Sequence, residues 1–259
     1  MKRIVILGTG NVATRLAKAF HKTAYEIVQV YGRTPASTRK LAKQVDAKAC
    51  SDLQKIEVAD LYVVAVKDDA ISSLAKELKH LKTIAPKAII VHNSGSVAST
   101  VLKVTGLAYG VLYPLQSLKK QVAIDFFHVP FGVTGDSPKT RKVLHELARN
   151  LSKQTFVISD EQRMALHIAA IFANNFTHYM LVQAQQLCKE HKLQWDLLFP
   201  LIEHTFKQAR QADLALLQTG PASRKDTQTL KAHSAFLKQN NKAQEKVYRL
   251  ISKMIEANN

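Results

Sequence analysis

The sequence predicts an α/β fold, a doubly wound and mostly parallel sheet, followed by an all-helical domain. Three observations carry this. Residues 4–14, IVILGTGNVAT, run from a short apolar strand through a GxGxxA turn into an amphipathic stretch, Val12 to Phe20. Short apolar runs then alternate with helical stretches, and runs this apolar suit a parallel sheet covered on both faces. Eight of the nine glycines lie at or before Gly135 and only Gly220 follows, so the character of the chain changes in its second half. The expected domains are residues 1–158 and 159–259.

The first strand, Ile4 to Leu7, feeds the glycine turn. Gly8 permits the tight turn, Gly10 removes the side chain that would obstruct a dinucleotide pyrophosphate, and Ala13 lets helix and strand pack closely. The following helix offers unpaired N–H groups and its positive dipole end to phosphates. Gly8, Thr9, Gly10, Asn11 and Val12 are the expected cradle; the alternative is a plain structural turn.

The second strand, Ile27 to Tyr31, carries no acidic residue at its end, where an NAD site usually places one. It runs instead into Gly32, Arg33 and Thr34, then a loop with Ser37, Arg39 and Lys40. A guanidinium can stack on adenine and take a phosphate through its planar fork, while Thr34 and Ser37 add neutral donors. This favours NADP(H) over NAD(H). The competing account is that a basic chain places arginines in many loops.

Ligands of open α/β sheets sit beyond the carboxyl ends of the strands. The strand Leu61 to Val66 ends at Lys67 and Asp68, so Val66 and Lys67 are placed against the cofactor. The strand AIIVH ends in His92, Asn93, Ser94, Gly95 and Ser96, a dense set of small donors around a glycine. His92, Ser94 and Ser96 either hold a substrate beside the nicotinamide, or satisfy loop backbone and cap a helix starting near Ala98. The strand GVLYP then adds Tyr113, Pro114, Gln116 and Ser117. FGVTG and TFVIS complete the strands.

The second part reads as long helices: Glu161 to His191, Trp195 to Ala212, and Lys242 to Ala257, with a shorter one around Thr229 to Lys238. At 100° per residue, His167 and Asn174 lie within roughly 20° of each other, with Asn175 about 80° round. These polar groups on an apolar stripe need partners, in the helical core or on a substrate. Substrate contact would make His167 a proton donor and the asparagines holders of the reacting oxygen. In the irregular segment TGPASRKD, Arg224 and Asp226 either pair or cap the next helix, or the arginine clamps a carboxylate. His233 follows on that helix, while His178 and His204 have no comparable neighbours.

Composition excludes several classes. No apolar run approaches the ~20 residues of a membrane span. The start, MKRIVILG, has the basic and apolar parts of a signal peptide, but the apolar part stops at Gly8, and a cytoplasmic location is expected. Cys50 and Cys188 show no metal spacing and no CxxC pattern, which fits a reducing compartment and gives no metal site. The formal charge is +17, but residues 1–135 hold 19 basic and 9 acidic side chains and the remainder 18 and 11. An excess spread this evenly, without base-stacking aromatics, is explained more simply than by nucleic acid: either a basic surface that attracts an anionic cofactor and a carboxylate substrate, or a solvated face.

The motifs GTGNVA, GRT, VKDDAI, HNSGS, YPLQSL, PFGVTGD, HIAAIFANNF and TGPASRKD, in that order, resemble a bacterial family of putative NADP oxidoreductases. The resemblance covers nearly the whole chain. It implies a Rossmann-like domain joined to a helical domain like that of 6-phosphogluconate dehydrogenase-like proteins. More distantly the chain is similar to pyrroline-5-carboxylate reductases, deazaflavin-dependent NADP reductases and β-hydroxyacid dehydrogenases. In the last group a lysine and an asparagine on the first long helix act on the substrate oxygen; here His167 stands at the matching position, followed by Asn174 or Asn175. The resemblance also implies a homodimer through the helical domain, with the TGPASRKD loop able to reach a partner's site.

The leading expectation is an NADPH-dependent reductase of a small carbonyl or imine bearing a carboxylate, acting between the two domains. Ser94, Ser96 and Asn174 would hold the carbon that accepts hydride, and His167 or His92 would deliver the proton. The rival is a protein that holds NADP(H) as a sensor or interaction partner without turnover.

Overall fold

β1 (Arg3–Leu7) sits inside the sheet with four of its five residues buried, which is why its sequence is almost wholly apolar. In the computed structural model, residues 2–81, 83–210 and 213–258 are described. The chain passes into α1 (Asn11–His21), whose Ala13, Leu16, Ala17 and Phe20 join the core on one face of the sheet. β2 (Glu26–Tyr31), α2 (Pro35–Lys43) and β3 (Lys48–Cys50) follow, then β4 (Leu61–Val64), α3 (Asp68–Leu78), β5 (Ile89–His92) and β6 (Ala108–Pro114). β7 (Phe131–Gly135), α4 (Pro138–Arg149) and β8 (Thr155–Val157) complete the sheet.

The strand order is β3-β2-β1-β4-β5-β6-β7-β8. Every pairing is parallel except β6 with β7, which is antiparallel. Strand order reverses between β1 and β4, and the crevice beyond their carboxyl ends is where such sheets bind ligands. Separate apolar clusters cover the two faces, one centred on Ile4, Ile6, Leu16 and Phe20, the other on Val5, Leu7, Tyr62 and Leu78. All seven expected strands are present. β3 was not anticipated: it is three residues long, pairs only with β2, and lacks the apolar run that marks a buried strand.

The helix expected near Ala98 is a 3₁₀ helix, Ser99–Thr105. The later helices differ from expectation in two places. The long helix is α5 (Asp160–Ala170) and α6 (Thr177–Glu190) joined by a π turn, Ile171–Phe176. The segment from Trp195 opens with a 3₁₀ turn, Trp195–Leu198, before α7 (Phe199–Gln208); the expected end at Ala212 lies outside the described residues. α8 (Thr227–Asn240) and α9 (Lys242–Asn258) follow. Asp226 caps α8, accepting from Thr229 N at 3.1 Å and Thr229 Oγ1 at 2.7 Å, which is the capping role weighed for it.

Two compact units divide inside the π turn, after Asn175. α5 therefore packs with the sheet, although the change in sequence character comes near residue 158. A capping box starts α5: Ser159 Oγ accepts from Gln162 N, and Gln162 Oε1 accepts from Ser159 N. In the second unit, the buried described residues are Cys188, Ala222, Leu237 and Gln244.

Candidate active site

Gly8 and Gly10 do different work. Gly8 has φ +129°, and a Cβ there would lie 2.3 Å from Ala65 O, so the fold itself requires glycine. At Gly10 the nearest atom to an added Cβ is Ala65 O at 3.9 Å, so nothing in the protein forbids a side chain. The space over Gly10 is open, and it adjoins a cavity of about 480 Å³ lined by Gly8, Thr9, Gly10, Asn11 and Val12. Gly10 is the N-cap of α1, and no acidic residue occupies the first turn to compete for its N–H groups.

The same cavity is lined by Arg33, Thr34, Val66 and Lys67, with Lys120 and Glu77 also on its wall. Three cations against one carboxylate make it suited to an anion. Ser37, expected here, is not a lining residue; it lies within the first turn of α2. Asn11 is partly committed, since its Oδ1 accepts from Lys120 N at 3.2 Å. Arg15 fixes the same loop through Lys119 O at 2.9 Å and Lys120 O at 2.7 Å.

Val12 also lines a second cavity, of about 640 Å³, within the usual size of small-molecule sites. Its walls come from the β5 and β6 ends and from the helix: Asn93, Ser94 and Gly95; Tyr113 to Leu118; His167, Asn174 and Asn175. The π turn contributes to this arrangement. Its i→i+5 pattern gives fewer degrees per residue than the α-helical 100°, and both asparagines line the cavity.

Asp68 organises the serines. Its Oδ2 accepts from Ser94 Oγ at 2.7 Å and from Ser96 Oγ at 2.8 Å. Ser94 Oγ in turn accepts from Ser96 N at 3.1 Å and Val97 N at 3.0 Å. Both hydroxyl protons are therefore used on Asp68, at the start of α3, and Ser96 is not a lining residue. Asn93 donates through Nδ2 to Leu112 O at 2.6 Å, while its buried Oδ1 has no partner among the described residues.

His92 has no solvent exposure and is not a lining residue. Its Nδ1 accepts from Ser94 N at 3.2 Å and its Nε2 lies 3.3 Å from Ala98 O, so both ring nitrogens serve the loop backbone. Burial, reinforced by the Arg163 charge, holds its pKa down to about 4, which keeps the ring neutral. These contacts are the ones the loop-backbone alternative for His92 expects.

Arg163, on α5 and 1% exposed, was not singled out in the sequence. Its Nε donates to Ser94 O at 3.1 Å, Nη2 to Val97 O, and Nη1 to Thr134 Oγ1 at 3.2 Å and Asp160 Oδ1 at 2.6 Å. Asp160 Oδ2 accepts from Ser99 N at 2.8 Å and Ser99 Oγ at 2.9 Å. The Asp160 carboxyl is held below its ordinary value by these hydrogen bonds and the guanidinium, against the opposing effect of burial. One helical turn after Arg163, His167 Nδ1 lies 3.0 Å from Tyr113 Oη. The signal available for Arg163 was its i,i+3 spacing from Asp160 at a helix start.

A family model described as NADP oxidoreductase coenzyme F420-dependent matches residues 3–92, and a domain of unknown function, DUF2520, matches residues 129–255. The chain is 36% identical to a putative NADP oxidoreductase from Bacteroides fragilis, with TM-score 0.90 over 99% of this chain and 98% of that one. A protein from Thermotoga maritima shares the fold at TM-score 0.68 and 22% identity, over 98% of this chain and 97% of that one. An imine reductase from Myxococcus stipitatus in complex with NADP+ shares it at TM-score 0.67 and 16% identity, over 98% and 92%. No curated protein matches the sequence.

The buried His92 gives a pH dependence with a definite sign. In the unfolded chain its value is near 6.5 and in the fold about 4, so between these the unfolded state binds the extra proton. Stability should rise with pH from about 4 to about 6.5 and gain nothing from this group above that. Urea denaturation should show wild type losing about 3 kcal/mol across that window relative to His92→Gln, which cannot titrate. Parallel profiles for the two proteins would refute the assignment.

Proposed function

The chain belongs to the family of the Bacteroides fragilis putative NADP oxidoreductase, and on that premise we propose that it is an NADP(H)-dependent reductase of a small carbonyl or imine compound. The observation that carries this reading is Gly10, a glycine with no packing reason, opening a cationic cavity that shares Val12 with the cavity holding His167. Backbone N–H groups at the start of α1 would hold the pyrophosphate, and Arg33, Thr34 and Lys67 the phosphorylated ribose end. The bound nicotinamide supplies hydride.

The chain's own task is the proton and the orientation of the C=O or C=N group. His167 delivers the proton to the heteroatom, and Asn174 and Asn175 offer amide donors to it. His92 is left out because both ring nitrogens are used in the loop. Ser94 shapes the cavity wall rather than binding the reacting group, since its hydroxyl gives its proton to Asp68 and accepts from Ser96 N and Val97 N. A substrate carboxylate finds no lysine or arginine among the residues lining this cavity, so the proposal specifies the reducible group and leaves its substituent unassigned.

Homodimerisation through the helical unit is supported by its surface. Among its described residues, fourteen large apolar side chains are exposed against four buried residues, Leu197, Leu201 and Leu216 among the exposed. Exposed apolar side chains gathered into a large contiguous patch mark an interaction site. A reducing compartment agrees with Cys50 and Cys188 both being free thiols.

Fluorescence titration should give tighter binding of NADPH than NADH. Gly10→Ala should lose NADPH affinity at least tenfold while keeping wild-type thermal stability; unchanged affinity would remove the cradle. His167→Ala should lower turnover on a keto- or imino-compound panel by about 10² while sparing NADPH affinity. Tight NADPH binding by wild type with no turnover would favour the sensor reading instead. Sedimentation equilibrium should return about twice the 28.9 kDa chain mass, and a monomer at micromolar concentration would refute the dimer.

A further inference from the structure

We infer that Tyr113 is a positioning residue that orients His167 and commits its ring proton to Nε2. The inference rests on the proposed reductase role of this cavity. Three contacts define the histidine. Tyr113, at the end of β6 and 6% exposed, places its hydroxyl 3.0 Å from His167 Nδ1, with the rings edge-to-face at 6.0 Å and 82°. The ring lies against Gly95, where an added Cβ would fall 2.5 Å from His167 Cγ and 2.6 Å from Nδ1. Gly95 lies outside the left-handed region of φ, so this glycine answers to the ring rather than to its own backbone.

The third contact is indirect. Arg163 and His167 are four residues apart on α5 and so share a helix face. The Arg163 guanidinium holds Ser94 O and Val97 O, the carbonyls on either side of the Gly95 and Ser96 turn. The floor under the imidazole is thereby tied to the same helix that carries it, and the ring and its floor move together.

The chemical consequence follows from which nitrogen is engaged. Burial raises the Tyr113 phenol above its ordinary value, so it stays protonated at neutral pH. Toward a neutral imidazole a phenol is a better donor than acceptor, so Tyr113 gives its proton to Nδ1 and the imidazole proton sits on Nε2. When the ring is an imidazolium, the phenol oxygen accepts from Nδ1–H instead. In both states Nδ1 is occupied by Tyr113 and Nε2 is the atom that exchanges a proton with a ligand. The imidazolium gives its Nε2 proton and is left with its Nδ1 proton donated to the Tyr113 oxygen; a solvent proton then restores Nε2–H, and Tyr113 stays a neutral phenol throughout.

Tyr113→Phe keeps the ring and loses only the hydroxyl. Proton-detected ¹⁵N spectra of the histidine rings, with His167 assigned by its loss in His167→Gln, should show a bare Nδ1 and a protonated Nε2 in wild type. A tautomer mixture is expected in Tyr113→Phe. With a turned-over substrate, kcat should fall about tenfold in Tyr113→Phe, with KM and NADPH affinity within twofold. Gly95→Ala, which displaces the ring by contact, should give the same spectral change with the hydroxyl present. A wild-type ring protonated on Nδ1, or the same tautomer in Tyr113→Phe as in wild type, would overturn the inference. The spectra require no turnover, so a failed reductase assignment leaves this outcome readable.

Discussion

The site depends on one buried cation. Arg163 reaches the loop after β5, the strand β7 through Thr134, and the first residue of its own helix, and no other described side chain joins these three places. A guanidinium taken out of water is tolerated only when it is well partnered, and here each of its three nitrogens donates, in four hydrogen bonds in all. A buried charge stripped of one partner costs about 3–5 kcal/mol, so the loop has no inexpensive alternative arrangement. That rigidity is inherited by Gly95, by the Ser94–Asp68 contact and by the imidazole resting on the loop. A polar network of this kind specifies one conformation only when every member is satisfied, and among its members Asp160 and Ser99 complete one another.

The two glycines of the first turn separate folding from binding. Gly8 is demanded by its φ and by Ala65 O, and would be needed in a protein that bound nothing. Gly10 has no such demand. A position kept free of a side chain where the fold would accept one is a statement about a ligand, and the cations around it state its charge. Asn93, on the wall of the larger cavity, keeps a buried amide oxygen without a partner among the described residues, a costly arrangement in a folded protein.

Much of the fold was legible because each buried strand is an uninterrupted apolar run, a pattern that parallel sheets impose. β3 escaped because an edge strand of Lys48, Ala49 and Cys50 has no buried face to announce it. The positions of His167, Asn174 and Asn175 were legible as a polar stripe, but their geometry was not, since the π turn between them abandons the α-helical repeat. His92 illustrates a different difficulty: a histidine among small donors at a strand end looks the same in sequence whether its nitrogens meet a substrate or the backbone. Tyr113 and His167 stand 54 residues apart and meet only through the packing of α5 on the sheet, which local spacing does not encode. Arg163 was hidden for the same reason, among the surface-like residues of a helix start.

The two cavities share Val12, and the proposed reductase needs them to form one path from the phosphate cradle to His167. A crystal structure of the protein with NADP+ tests it most directly. The account predicts the pyrophosphate against the Gly8–Val12 turn, the ribose phosphate at Arg33 and the nicotinamide in the cavity walled by Tyr113 and His167. Density for the dinucleotide elsewhere, or a nicotinamide directed away from His167, would contradict it.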